Sequence, residues 1–239
     1  MKISGFFISL LVLAGATCAF SQDAPVIHPD SVKGKFKPTG VRLGTGVINI
    51  IRTSANSNLT ELTFIADIDF YRYFWNVEWG LFERTRAGGA NSVYSVEGSY
   101  FRFGPEINFL KKDPEKNALF FGLRYARASF DDELTYTSAS GFFDNDQLAI
   151  SNSGLQADWY EMVTGLKVKI WKNLWMGYTA RFKFGVDTFE RNELIPHDIP
   201  GYGRADQRSA WDFNYWIMFR IPLRKQPGSV LEAIKPVDK

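Results

Sequence analysis

Apolar and polar residues alternate along most of this chain, and this period of two restricts the possible folds more than any other feature. Within residues 211–221 every second residue is aromatic or aliphatic, and most of the residues between them are polar. The same alternation runs through residues 62–70, 73–81, 160–170 and 174–184. Because successive side chains of a strand point to opposite faces, the pattern predicts β-strands with one apolar and one polar face.

The alternation predicts eight strands in total. Besides the five clear segments, three fainter ones span Val41 to Arg52, Ser95 to Leu110 and Ala118 to Phe130. The phase of the segment Ser95 to Leu110 is ambiguous before Tyr100, where a bulge would fit the pattern. An even number of antiparallel strands brings both ends of the strand region to the same side.

The connections between the predicted strands alternate in length. The short ones are residues 70–72, 111–117 and 172–173. The longer ones are residues 53–58, 84–92, 131–156 and 187–208. Short periplasmic turns and longer outer loops are typical of outer-membrane barrels.

The predicted apolar faces carry large residues, whereas the polar faces carry many small ones. Aromatic residues form 16% of the chain, and Trp75, Trp79 and Phe219 lie on apolar faces, while Gly44 and Gly177 lie on polar faces. The alternative is a soluble barrel of the lipocalin type, with its apolar faces turned inward. A barrel of about eight strands has an interior only wide enough for side chains, so these aromatic residues would overfill it. The sequence therefore favours an all-β fold, an eight-stranded antiparallel up-and-down transmembrane β-barrel.

A helical membrane protein is excluded by the same sequence. The longest apolar run after the N-terminal region, residues 118–123, has six residues, whereas a helix needs about 20 to cross a bilayer. A chain that crosses a membrane without helices must close its strands into a barrel, because lipid offers no partners for backbone polar groups.

The N-terminus has the three parts of a secretory signal peptide. Lys2 precedes an apolar run, residues 6–16, and small residues follow up to Ser21. This order predicts a cleaved signal. The predicted organisation is a signal peptide (1–21), a periplasmic N-terminal segment (22–36), an outer-membrane β-barrel (37–223) and a periplasmic C-terminal tail (224–239).

The single cysteine and the charge balance limit the possible partners. Cys18 lies within the predicted signal; a lipidated cysteine is the alternative, although residues 15–17 fit the usual lipoprotein spacing poorly. The mature chain then has no thiol and no disulfide. It keeps 27 basic and 26 acidic residues, a balance that gives no argument for nucleic acid as a partner.

Three features together resemble a known protein family. They are the Phe20-Ser21-Gln22 end of the signal, the first strand around Gly40-Val41-Arg42-Leu43-Gly44, and the segment Ala66-Asp67-Ile68-Asp69-Phe70 with the aromatic hairpin after it. With them the chain resembles an uncharacterised family of small Gram-negative outer-membrane β-barrel proteins, over nearly all of the mature sequence. The resemblance implies the fold and an outer-membrane location, and it implies no activity.

The polar faces of the predicted strands carry many charged residues that would meet inside the barrel. We predict a lumen charge network of thirteen residues: Arg42, Glu61, Asp67, Glu78, Arg102, Glu106, Arg124, Glu161, Lys167, Lys169, Arg181, Lys183 and Arg220. Buried charges of opposite sign offset one another when they are also hydrogen-bonded. We interpret the network, together with Trp159 and Trp216, as a structural filling of the lumen; a narrow polar conduit is the alternative.

Few residues have the pattern of a catalytic or metal site. The two histidines are His28 and His197; His197 is followed by Asp198, and Ser209 lies farther along the same loop. Pro196 and Pro200 flank this histidine and indicate a structural loop, so we expect no catalytic residue. A general base must also lie within hydrogen-bonding reach of its nucleophile.

Two acidic segments, residues 131–133 and 144–146, have ligands suitable for a hard cation but do not match a calcium-loop pattern. We interpret them as solvated loops and predict neither a metal nor a cofactor.

Together these features predict a non-enzymatic outer-membrane barrel with a side-chain-filled lumen, which acts through its outer loops or periplasmic ends as a structural or partner-binding envelope component. One alternative is a lipid- or ester-modifying enzyme of the outer membrane with its site near His197. Another is a narrow channel for small solutes. The expected partners are outer-membrane lipid and a second envelope protein, and not nucleic acid.

Overall fold

The computed structural model describes residues 37–70, 72–89, 91–110, 117–138, 146–188 and 194–223. The predicted signal peptide, the N-terminal segment and the C-terminal tail lie outside these residues. Within the described part of the chain, no helix is both long and apolar enough to span a membrane.

The described residues form ten strands and one helix. Their bounds are β1 Gly40–Gly46, α1 Val47–Ala55, β2 Leu59–Phe70, β3 Tyr73–Ala87, β4 Val93–Asn108, β5 Asn117–Ser138, β6 Asp146–Trp171, β7 Leu174–Thr188, β8 Asp198–Ile199, β9 Gly203–Arg204 and β10 Ser209–Pro222. Eight of the strands close into one barrel in the order β1-β2-β3-β4-β5-β6-β7-β10, and every neighbouring pair is antiparallel. The predicted fold class, an eight-stranded antiparallel up-and-down barrel, is confirmed. The two-residue strands β8 and β9 pair only with each other.

The two ends of the barrel differ in their connections. We call the end at which β1 begins and β10 finishes the turn end, because β6 and β7 are joined there by Lys172 and Asn173 alone. The opposite end, which holds α1 and the connection from β7 to β10, is the loop end. The predicted alternation holds for the short connections 71–72 and 172–173 and for the long connection from β7 to β10, but residues 109–116 after β4 form a longer connection than residues 88–92 after β3.

The connection expected at residues 131–156 is mostly strand, which corrects the sequence-based boundaries. After a register shift between Phe130 and Asp132, β5 and β6 stay paired from Asp132↔Asn152 to Ser138↔Asp146. The result is a hairpin whose part beyond Thr135, the last residue of β5 that pairs with β4, projects past the barrel at the loop end. The bulge expected before Tyr100 is absent from β4, where the register with β3 and β5 is continuous from Val93 to Phe103.

The first strand is shorter than predicted. The segment 41–52 was expected to be a strand throughout, but β1 ends at Gly46 and the chain turns into α1. Helical geometry lets Asn49 point inward, where its amide donates to Glu61 Oε1 and to Thr63 Oγ1. Thr53 Oγ1 donates to the carbonyl of Glu61 and accepts from its N–H. The helix therefore supplies hydrogen bonds that a longer β1 would have given to β2.

The outer face of the barrel wall is apolar and rich in aromatic rings. One chain of ring contacts passes from β4 to β10 with centroid separations of 5.0 to 6.3 Å. We call it the aromatic girdle, and its members are Phe101, Phe103, Tyr125, Tyr160, Phe184, Phe182 and Trp211. Contacts between aromatic rings at such distances stabilise neighbouring strands beyond simple burial.

Glycines on the inner face make room for large side chains. At Gly165 a Cβ atom would lie 1.9 Å from the carbonyl oxygen of Tyr178 and 3.0 Å from the ring of Phe120. At Gly80 it would lie 2.2 Å from the ring of Tyr100. The inner face therefore has glycine at positions where a neighbouring buried ring needs the space.

Candidate functional site

The centre of the lumen is a cluster of ion pairs around Glu78. Arg102 Nη1 and Arg181 Nη1 each donate to Glu78 Oε2 at 3.0 Å. Arg124 donates to the other oxygen of the same carboxylate. These residues come from four strands, β3, β4, β5 and β7, so one carboxylate joins distant parts of the wall.

A second carboxylate, Glu161 on β6, completes this central cluster. Arg102 Nε donates to Glu161 Oε1 at 3.0 Å and Trp159 Nε1 donates to the same oxygen at 2.8 Å. Arg181 Nη1 lies 3.4 Å from Glu161 Oε2. The two carboxylates of this cluster, Glu78 and Glu161, are thus neutralised by three guanidinium groups, which are always protonated.

Nearer the turn end, Lys167 lies between two further acids. Its Nζ donates to Asp67 Oδ2 and to Glu106 Oε2, both at 2.6 Å. The ammonium group also lies 4.6 Å from the ring centroid of Phe120 and 5.0 Å from that of Phe74. Arg124 donates to Glu106 as well, and this contact connects the two clusters.

The turn end of the lumen is closed by Arg42 and aromatic rings. The Arg42 guanidinium lies 3.4 Å from Asp69 Oδ2 and 3.7 Å from Asp67 Oδ2. It also lies over the rings of Phe74 and Trp175, at 4.7 and 4.8 Å from their centroids. A guanidinium between aromatic faces is favourably placed when it is removed from water.

The lumen charges balance. Six acids and six bases of the described residues line it, and all but Asp212 are buried: Asp67, Asp69, Glu78, Glu106, Glu161 and Asp212 with Arg42, Arg102, Arg124, Lys167, Arg181 and Lys183. Buried ion pairs add little net stability over an apolar core, but removing one partner leaves an uncompensated buried charge. The lumen is therefore a packed polar core rather than a lined passage.

The sequence prediction placed thirteen residues in this network, and their positions differ. Ten are buried in the lumen, while Glu61 and Arg220 lie at its two ends, with side chains 13% and 11% exposed. Lys169 is a correction: it is still in register with Trp175, but it is exposed because it lies at the turn end of the barrel, close to the last residue of β6. Asp69 and Asp212 were missed as members, although the alternation already placed both on polar faces.

The segment after β7 folds into the loop end and forms a cap. The carbonyl of Gly201 accepts from Arg102 Nη2 at 2.6 Å and from Lys183 Nζ at 2.7 Å, and Lys183 also donates to the carbonyl of Tyr202. The ring of Tyr202 packs against Trp159 with centroids 5.5 Å apart. We call residues 198–204 the inner cap, because they close the lumen from this side.

A cavity of about 360 Å³ lies beside the inner cap. Residues from α1, β2, β3, β7 and β10 line it together with the inner cap. Its ionisable lining residues are Arg52, Glu61, Arg84, Lys183, Asp198 and Asp212. The cavity is polar, and these charged residues form ion pairs with one another.

The contacts of His197, Asp198 and Ser209 are those of a structural loop. The His197 side chain is 46% exposed, and its Nδ1 lies 3.5 Å from Asp198 Oδ1. The Asp198 carboxylate is also bound by Arg86 at 2.9 Å and Arg84 at 3.8 Å. Ser209 lies at the start of β10, paired with Phe184 of β7. His28 lies outside the described residues.

The acidic segment 131–133 takes part in the projecting hairpin. Asp132 accepts hydrogen bonds from Tyr94 and from Asn152, at 3.1 and 2.8 Å. Burial raises the pKa of the Asp132 carboxyl above its ordinary value, and these two hydrogen bonds oppose the shift. Residues 144 and 145 lie outside the described part, and no group of three potential metal ligands occurs within that part.

Solved structures with a similar fold include outer-membrane barrel proteins. CarO of Acinetobacter baumannii matches with a TM-score of 0.38 and 9% identity, over 77% of this chain and 98% of that one. CarO2 of the same organism matches with a TM-score of 0.38 and 11% identity, over 77% and 98%. Ail, the attachment invasion locus protein of Yersinia pestis, solved with the heparin analogue sucrose octasulfate, matches with a TM-score of 0.32 and 7% identity, over 77% and 97%.

Comparison by sequence gives one family. No curated protein matches the chain. The model of the family described as "Domain of unknown function (DUF6048)" matches residues 3–226, nearly the whole sequence, and the chain therefore belongs to this family.

Proposed function

We propose that this protein is a non-enzymatic outer-membrane β-barrel whose filled lumen is structural and whose loop end binds a second component of the cell envelope. The observation that carries the proposal is the contrast between the two faces of one wall. The outer face presents aromatic and aliphatic side chains on every barrel strand, whereas the inner face holds a balanced set of buried charges. Such a wall has the polarity of a barrel surrounded by lipid.

The arrangement of the lumen supports a structural role rather than conduction. Buried rings and ion pairs occupy successive levels from Arg42 to the inner cap. A solute on this path would have to separate charges that are paired within 4.0 Å, at a cost of several kcal/mol for each unpaired buried ion.

The loop end supports a binding role. The projecting hairpin extends the two longest strands beyond the aromatic girdle. One of its faces is polar, and the other carries apolar residues, among them Tyr136 and the exposed Leu148. The described residues of the hairpin beyond the Val93↔Thr135 pair have no ladder with β4, so they are available for contact with a partner. Recognition of this kind spreads contact area over many residues.

The proposed test compares a shortened hairpin with a single substitution. In one variant, residues 136–148 are replaced by Asn-Gly, which keeps the Asp132–Asn152 contact, the Thr135↔Ala149 pair and every residue of β5 that pairs with β4; in the other, His197 is replaced by Ala. We expect the shortened variant to fail to complement a deletion of the gene, whereas His197→Ala should complement it. Both should retain a folded barrel on gels run without boiling.

The opposite result favours an enzyme. Single replacement of a general acid or base typically lowers a rate by about 10² to 10⁴-fold. A complete loss of complementation in His197→Ala, at normal abundance and with a folded barrel, would contradict the proposal.

A further inference from the structure

The barrel wall has a gap beside β1 at the loop end. β1 pairs with residues 64–69 of β2 and residues 216–222 of β10. Beyond these ranges, none of the described residues forms a strand between the edges of β2 and β10. The helix α1 covers part of the gap through Asn49, which contacts Glu61 and Asn214. At this gap, side chains of α1 replace the hydrogen-bonded strand that closes the wall elsewhere.

The 360 Å³ cavity lies at this gap. Its lining includes three consecutive residues of β10, Ala210, Trp211 and Asp212. Trp211 is an exposed member of the aromatic girdle, whereas Asp212 faces the lumen and pairs with Lys183 at 3.2 Å. Neighbouring residues of a strand point to opposite sides of the wall, so a cavity bounded by all three borders the free edge of β10.

Charges of both signs are close together in this cavity. Arg52 and Arg84, whose side chains are 51% and 31% exposed, each have a long ion pair of 3.8 Å, with Glu61 and Asp198, which a headgroup would replace. The carboxylates of Glu61 and Asp212 also line the cavity, and Asp212 pairs with Lys183 at 3.2 Å. Guanidinium groups bind phosphate with paired hydrogen bonds, and carboxylates bind an ammonium group. The cavity therefore suits a compact headgroup that carries a phosphate and an ammonium together.

The surroundings of the gap suit the apolar part of such a ligand. Trp211 is the last ring of the aromatic girdle, and Ile50 and Ile51 of α1 are exposed next to the gap. Aromatic girdles of membrane barrels lie at the boundary between the lipid tails and water. A lipid whose headgroup entered the cavity would leave its acyl chain against this apolar surface.

We propose that the gap between β2 and β10 is a lateral portal that binds a zwitterionic phospholipid by its headgroup. The inference rests on the proposed membrane location of the barrel. Arg52 and Arg84 bind the phosphate, Glu61 and Asp212 bind the ammonium, and the acyl chain lies outside the wall beside Trp211.

Lysophosphatidylethanolamine is the probe, and its binding to the full-length protein in detergent is measured by native mass spectrometry. Lysophosphatidylglycerol keeps the phosphate but has no ammonium, and glycerophosphoethanolamine keeps the headgroup but has no acyl chain. Two variants alter the portal: Arg52→Gln removes one guanidinium, and Ala210→Phe fills the cavity. The matched control is Arg127→Gln, because Arg127 is also 51% exposed and pairs with one acid, Asp158, elsewhere on the wall.

We expect the zwitterionic lysolipid to bind at least ten times more tightly than either of the other two compounds. Arg52→Gln should weaken it by at least tenfold, Ala210→Phe should abolish it, and Arg127→Gln should leave it unchanged. Equal binding of lysophosphatidylglycerol, equal binding of the headgroup alone, or equal binding by the portal variants and the control would each overturn the inference. A shift in gel mobility on boiling, recorded for every variant, keeps this outcome separate from failure of the membrane barrel itself.

Discussion

Lys167 is the residue at which the lumen network is most open to a quantitative test. Its ammonium contacts Asp67 and Glu106, and all three side chains are buried. Lys167→Met removes the cation and leaves two buried acids, so we expect the free energy of unfolding to fall by about 3–5 kcal/mol. Urea unfolding in lipid vesicles measures the change.

Two further variants test the cause of that loss. Adding Asp67→Asn to Lys167→Met removes one of the stranded charges and should recover part of the stability. Lys172→Met, at the exposed turn, should change stability by no more than about 0.5 kcal/mol. If Lys167→Met were as mild as Lys172→Met, the ion pairs would not form the core described above.

The neighbouring residue Leu166 tests which face of the wall meets lipid. Leu166 is exposed on the outer face, one residue from the buried Lys167. We expect Leu166→Arg to lower the free energy of unfolding by about 2–4 kcal/mol if the position lies near the bilayer midplane. Trp171→Arg, at the turn end, should cost only about 0–1 kcal/mol because it lies near the interface. A harmless Leu166→Arg would reverse the assignment of the faces.

At the scale of whole elements, the hairpin of β5 and β6 should respond to pH through Asp132. The pKa of this buried carboxyl is raised in the folded state above its ordinary value of 3.8. Its contribution is therefore greatest when both states are protonated, below pH 3.8, and is lost as the pH rises through the raised pKa. The protection factors of residues 132–138, which correct hydrogen exchange for its intrinsic pH dependence, should fall over that interval in the native protein and stay constant in Asp132→Asn. The same fall in Asp132→Asn would assign the effect to another group.

The elements differ in how well the sequence predicts them, for a physical reason. Strands such as 211–221 are easily recognised because their two faces differ in polarity. Residues 132–138 and 146–152 carry a weaker signal, since each segment has only two large apolar residues on one face, Leu134 and Tyr136 in β5 and Leu148 and Ile150 in β6, and their pairing went unpredicted. Residues 47–52 alternate weakly, and the contacts that favour a helix, those of Asn49 and Thr53 with β2 and of Asn49 with β10, are tertiary and leave no pattern in the sequence.

The candidate site was predicted only in part for a related reason. Alternation places Glu78, Arg102 and Glu161 on inner faces, but it carries no information about register between strands. Register determines which charges meet, as in the pairing of Glu78 with Arg102 across β3 and β4. The cavity depends on the early end of β1 and on the inner cap, neither of which leaves a periodic pattern in the sequence.

For the molecule as a whole, the filled lumen predicts the absence of a large steady conductance. Trp159, Trp175 and Trp216 are buried inside the wall together with the ion pairs, and a barrel of about eight strands has little further room. Purified protein in planar bilayers should give no stepwise current comparable to that of a general porin. Such steps in the native protein would instead favour the channel alternative.

The most direct test of the membrane barrel is the gel mobility of the full-length protein extracted from isolated outer membranes. The protein should be recovered in that fraction. It should migrate as a compact species in the cold and as a slower one after boiling, because a closed barrel resists detergent until it is heated. Recovery in the soluble periplasm, with one mobility before and after boiling, would contradict the account.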